Sequence, residues 1–117
     1  MLKGLLMTFR LLWLVNLLTG ALYYFQVNVP LKLHMYVGFA IALVMIGIGA
    51  LGLRAAIGLA AVTMLWAVSL PVIGILQLKH LNAPDLPYIQ ITHVLLGLGA
   101  IAIAEILGKR VRLARAA

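Results

Sequence analysis

Cysteine is absent from the 117-residue chain, and the acidic residues are limited to Asp85 and Glu105. Without cysteine, the chain has no disulfide, no thiolate metal site, no covalently attached c-type haem and no cysteine nucleophile. The sequence also lacks a glycine-rich phosphate loop, a pair of catalytic carboxylates and a nucleophile placed beside a base. These absences argue against a hydrolase.

Charged residues as a whole are scarce. They make up 9% of the chain, whereas 66% of the residues are hydrophobic and the mean hydropathy is +1.20. A soluble domain cannot cover so much apolar surface, so the composition predicts an integral membrane protein in a lipid bilayer. The formal charge of +7 would favour nucleic acid as the partner of a soluble protein. Here the basic residues flank apolar runs, which membrane topology explains better, so we expect no nucleic-acid partner.

Four apolar runs divide the chain. They cover residues of about 5–25, 33–53, 55–78 and 88–108. Each has about 20 residues, the length of α-helix that crosses a hydrocarbon core of roughly 30 Å. We therefore predict an all-α fold, an integral membrane four-helix bundle that forms a single transmembrane domain over residues 1–117.

The basic residues are divided unevenly between the two ends of these predicted helices. Four crossings place both termini on one side, together with the turn between the second and third runs. That side carries Lys3, Arg10, Arg54, Lys109, Arg110, Arg112 and Arg115, and the other side carries Lys32 and Lys79. Because cytoplasmic segments are rich in lysine and arginine, we expect both termini to be cytoplasmic, in a bacterial inner membrane.

The second half of the chain repeats features of the first half. The matched pairs are Trp13 with Trp66, His34 with His93, and Gly38 with Gly97. The pattern predicts two transmembrane hairpins related by a pseudo-twofold axis along the membrane normal, as in parallel-repeat transporters. Such an axis would place the two histidines at the same depth, on opposite sides of the axis and near the outer face.

Each of these histidines stands four residues before its glycine, so both residues lie on one face of a helix. Two such faces could hold something flat between two imidazoles, and neutral imidazole is a standard axial ligand of haem iron. We predict one haem b with its iron bound by His34 and His93, and with Gly38 and Gly97 against the macrocycle. The alternative is that each histidine is an interfacial residue bonded to water or to a loop carbonyl.

These histidines and glycines give the chain a pattern that resembles the small four-helix membrane cytochromes b, broadly the cytochrome b561-like group. The resemblance implies an electron-transfer component near the outer face of the membrane. Its partner would be a quinone or a redox subunit. The sequence itself leaves open whether a second copy of the chain, in a homo-oligomer, is a partner instead. Members of the group typically hold two haems with four histidines. This chain has no histidine in its cytoplasmic half, so at most one haem, bound by His34 and His93, is expected.

Two other polar residues leave alternatives open. Glu105 stands four residues before Lys109, so we expect an ion pair between them on one helix face. Glu105 could instead carry a proton or cation, which would make the protein a small-solute or ion transporter. His80 is expected in a solvated loop. A third possibility is a non-catalytic accessory subunit of a larger membrane complex.

Overall fold

A computed structural model describes residues 1–116 and contains four α-helices. They are α1 (Leu2–Tyr24), α2 (Leu31–Gly52), α3 (Ile57–Lys79) and α4 (Leu86–Ala116). No β-strand occurs within these residues. Each helix is long and apolar enough to cross a membrane. The prediction of an all-α chain with four helices of transmembrane length is confirmed, and such helices imply a lipid bilayer environment.

The local sequence explains where the helices begin and end. α2 follows Pro30, whose missing N–H costs nothing at a helix start and whose backbone is extended (φ −62°, ψ 125°). Between α1 and α2, Gln26 adopts a φ of 61°, the left-handed conformation that turns the chain sharply. α4 continues beyond the fourth apolar run because residues 109–116 are mostly strong helix formers.

The helices that carry the two predicted ligands lie at the centre of the bundle. α1 packs on α2, α2 on α3, α3 on α4, and α4 on α1. α2 and α4 also contact each other across the bundle, whereas α1 and α3 do not contact each other within the described residues. His34 on α2 and His93 on α4 therefore stand on the inner diagonal, where their side chains can meet.

The end of the bundle that holds both chain termini is closely packed. Leu6, Phe9, Met45 and Leu107 are at most 1% exposed there. Helix backbones approach closely at Gly108, where an added Cβ would lie 2.8 Å from the side chain of Leu6. Small residues allow such close packing of helices in membranes. The residues named here are closely packed, in contrast to the opposite end of the bundle.

Candidate functional site

The opposite end of the bundle contains a partly open cavity of about 1240 Å³. All four helices and both loops at that end contribute to its wall. Pockets that hold small molecules and cofactors are usually roughly 300–1,000 Å³, so a large organic group would fit. The four residues predicted for the site all border this cavity: His34, Gly38, His93 and Gly97. Their role in binding a cofactor stays a prediction.

His34 and His93 come together in this cavity. Their ring centres are 6.2 Å apart, and their ring planes are inclined at 68°. Imidazole nitrogens bind metal ions at about 2 Å and lie about 1 Å from the ring centre, so two rings on opposite sides of one ion have centres about 6 Å apart. The observed spacing is therefore compatible with two imidazoles that share one metal ion.

Hydrogen bonds to α1 set the orientation of the His34 ring. Its Nδ1 lies 3.1 Å from the carbonyl oxygen of Asn16 and 3.2 Å from the hydroxyl oxygen of Thr19. A carbonyl oxygen only accepts hydrogen bonds. Nδ1 therefore carries the ring proton, and its N–H donates a hydrogen bond to the Asn16 carbonyl. The lone pair of the neutral ring is then on Nε2. This tautomer is the one that a metal ligand needs.

Glycines on the neighbouring helices make room for both imidazoles. A Cβ added at Gly20 on α1 would lie 2.8 Å from Cε1 of His34, and one added at Gly74 on α3 would lie 3.4 Å from Cε1 of His93. Sequence reasoning missed these two glycines because it considered only glycines on the same helix as each histidine. The internal repeat contained a signal for them, since Gly20 and Gly74 occupy nearly equivalent positions in the first and the second hairpin.

The glycines that were predicted for the site are in more open surroundings. Apart from Gly97 itself, its chain neighbours and the backbone of its own helix, no atom of residues 1–116 lies within 4 Å of a Cβ added at this position. At Gly38 the nearest atom is Nδ2 of Asn16, at 3.6 Å, which is ordinary van der Waals contact. Gly97 therefore borders free space inside the cavity, whereas Gly38 is in van der Waals contact with α1.

Two tryptophans hold α4 from both sides just below His93. The indole N–H of Trp13 donates to the carbonyl of Gly97, and that of Trp66 donates to the carbonyl of Leu96, both at 2.8 Å. The two acceptors are three and four residues after His93, about one helical turn away. These bonds fix the height and rotation of the helix segment that presents His93.

Glu105 lies outside the cavity wall and pairs with a residue of another helix. Its two carboxylate oxygens accept hydrogen bonds of 2.6 and 2.9 Å from the guanidinium of Arg10 on α1. The predicted pair with Lys109 is therefore wrong. Arg10 stands ten residues before Gly20 on α1, so the ion pair lies about 15 Å below the histidines.

His80 is separate from the other two histidines. It caps the C-terminus of α3, outside the cavity wall, and its Nδ1 lies 3.2 Å from a carboxylate oxygen of Asp85. Within residues 1–116, no group of three or more histidine or acidic side chains is placed to hold a metal ion. The site thus contains two imidazole side chains in a largely apolar cavity. No protein-family model, curated protein or solved structure matches the sequence.

Proposed function

We propose that the protein binds one haem b between His34 and His93 and carries electrons within the membrane. The observation that carries this proposal is the 6.2 Å separation of the two ring centres inside a cavity of about 1240 Å³. An interfacial histidine bonded to a loop or to water has no reason to approach a second histidine at this spacing. Two ligands of one ion require it.

The number of protein ligands favours haem over a bare metal ion. Two imidazoles leave most positions of a transition metal unfilled, and no acidic or third histidine side chain of the described residues completes the set. A macrocycle supplies the remaining ligands itself, and the apolar wall of the cavity suits its faces. When bound, haem iron supplies one-electron redox chemistry.

The protein's own residues orient the ligands and control their environment. The bond from His34 Nδ1 to the carbonyl of Asn16 raises the electron density on Nε2, as outer hydrogen bonds commonly do at metal sites. The tryptophan bonds hold α4 so that His93 stays level with His34. Apolar side chains restrict water around the iron position, which affects its reduction potential.

The hairpins α1–α2 and α3–α4 are related in this proposal by a pseudo-twofold axis along the membrane normal. What supports it is that each histidine packs on a glycine of the preceding helix, His34 on Gly20 and His93 on Gly74. The charge bias supports the further proposal that both termini are cytoplasmic and that the cavity lies near the outer face of a bacterial inner membrane. Electrons would pass there to or from a quinone or a partner redox subunit.

The geometry gives less support to the two alternatives, a transporter and an accessory subunit. A transporter that uses Glu105 would need this carboxylate on a path for the solute, but Glu105 is bonded to Arg10 and lies outside the cavity wall. An accessory subunit would need no bound cofactor. The presence or absence of haem therefore separates both alternatives from the proposal.

The test is a reduced-minus-oxidised visible spectrum of protein purified in mild detergent from cells with ample haem. Wild-type protein should show the sharp α-band of a low-spin b-type haem. His34→Ala and His93→Ala should lose the low-spin band, because each removes one axial ligand. His80→Ala is the matched control and should keep it, because His80 lies outside the cavity. A colourless wild-type protein would overturn the proposal.

A further inference from the structure

We infer that the two histidines are unequal ligands: His34 is the fixed one, and the His93 side is an exchangeable position that admits a small diatomic molecule such as carbon monoxide. This inference rests on the proposed haem site. Its starting point is the difference between the surroundings of the two imidazoles, which the sequence repeat would lead one to expect to be alike.

Two kinds of contact with α1 hold His34, namely hydrogen bonds and close packing. Its Nδ1 contacts both the Asn16 carbonyl and the Thr19 hydroxyl, and that hydroxyl also donates to the same carbonyl at 3.0 Å. Gly20 lies so close to the ring that an added Cβ would be within 3.6 Å of both ring nitrogens and 2.8 Å from Cε1. Rotation of this ring would break hydrogen bonds and would also collide with the backbone of α1.

His93 has no such anchor. Its Nδ1 is buried and has no hydrogen-bond partner among residues 1–116. Its contact with Gly74 is also looser, since an added Cβ would be 3.4 Å from Cε1 and 4.0 Å from Nδ1. A buried polar nitrogen without a partner gains no hydrogen bond from its present orientation, so rotation of this ring breaks none.

The backbone beneath His93 stays in place when its ring turns. The indole bonds of Trp13 and Trp66 hold the carbonyls of Gly97 and Leu96. Movement is therefore confined to the side chain, which has open cavity beside it because the Gly97 position faces free space. A small ligand can then take the position that the His93 nitrogen leaves, while His34 remains bound on the opposite side.

The experiment compares haem content and carbon monoxide binding in wild type, His34→Ala and His93→Ala, each purified as the full chain. His93→Ala should keep haem as a five-coordinate high-spin form, whereas His34→Ala should retain at least about tenfold less haem per chain. Carbon monoxide should bind to reduced wild type, and about tenfold or more tightly to His93→Ala, because binding no longer competes with the histidine.

Each outcome decides a separate point. Equal haem loss in both variants, a larger loss in His93→Ala, or no carbon monoxide binding by the reduced wild type would overturn the inequality while leaving the haem site intact. A wild type without haem would overturn the proposed function itself.

If the alanine variants fold poorly, His93→Gly with added imidazole gives a second test. Imidazole should restore its low-spin band, and failure to do so while His34→Gly is restored would contradict the assignment.

Discussion

Gly20→Ala is expected to disable the haem site while leaving the fold intact. The new Cβ would lie 2.8 Å from Cε1 of His34. Carbon atoms in contact prefer about 3.5–4.0 Å, so the ring must move by about 1 Å. Such a shift stretches the 3.1 Å bond from Nδ1 to the Asn16 carbonyl beyond the useful hydrogen-bond range.

Two opposing effects nearly cancel in the free energy of unfolding. Loss of one hydrogen bond costs about 0.5–1.5 kcal/mol. Replacing glycine by alanine inside a helix stabilises the folded protein by about 0.8–1.0 kcal/mol, because alanine has the higher helix propensity. Haem binding has no such compensation, because the ring that is displaced is itself the ligand. Changes to groups that orient a metal ligand typically reduce affinity about 10–100-fold, and we expect a loss of that size.

The assay measures haem per chain and the thermal unfolding midpoint of the apoprotein in detergent. Gly4→Ala is the matched control on the same helix, since its added Cβ would meet no atom of another helix or of a distant side chain within 4 Å among the described residues. It should bind haem like wild type. If Gly20→Ala also binds haem like wild type, then the close approach of α1 does not position His34, and the reasoning fails.

Three further tests, which use four substitutions, examine other parts of the structure. Trp13→Phe removes an indole donor to α4 and should destabilise the protein by about 1 kcal/mol, measured by thermal unfolding; an unchanged midpoint would show that this bond contributes nothing. Glu105→Gln should weaken the link from Arg10 to α4 and lower the unfolding midpoint but leave haem content unchanged, and a folded variant without haem would contradict the placement of this pair outside the site. Because the chain has no cysteine, Asn82→Cys should react with a membrane-impermeant maleimide on intact cells, and Leu53→Cys only after permeabilisation; the reverse pattern would refute the expected orientation.

The helices and the histidine pair could be predicted because their signals are local in sequence. Apolar run length indicates a transmembrane helix, and a histidine followed four residues later by glycine marks one helix face. Where α4 ends was not predictable in this way. Basic residues after position 108 mark the expected exit from the membrane, yet lysine, arginine and alanine also continue a helix to Ala116.

Contacts between distant helices could not be predicted from the same patterns. Glu105 had a suitable partner four residues away in Lys109, but its partner is Arg10, which is far away in sequence and close only after the bundle forms. Gly20 likewise acquires its role only when α1 approaches the ring of His34. Helix packing decides such pairs, and a single sequence does not record it.

A single iron bound by both His34 and His93 has a distinctive electron paramagnetic resonance spectrum. The oxidised protein, purified from cells with ample haem, should give a low-spin ferric signal at close to one spin per chain. Because the two ring planes are inclined at 68°, the signal should be strongly anisotropic with one very large g value. A low-spin ferric signal that is absent, or present at only a small fraction of the protein, would contradict ligation by the histidine pair.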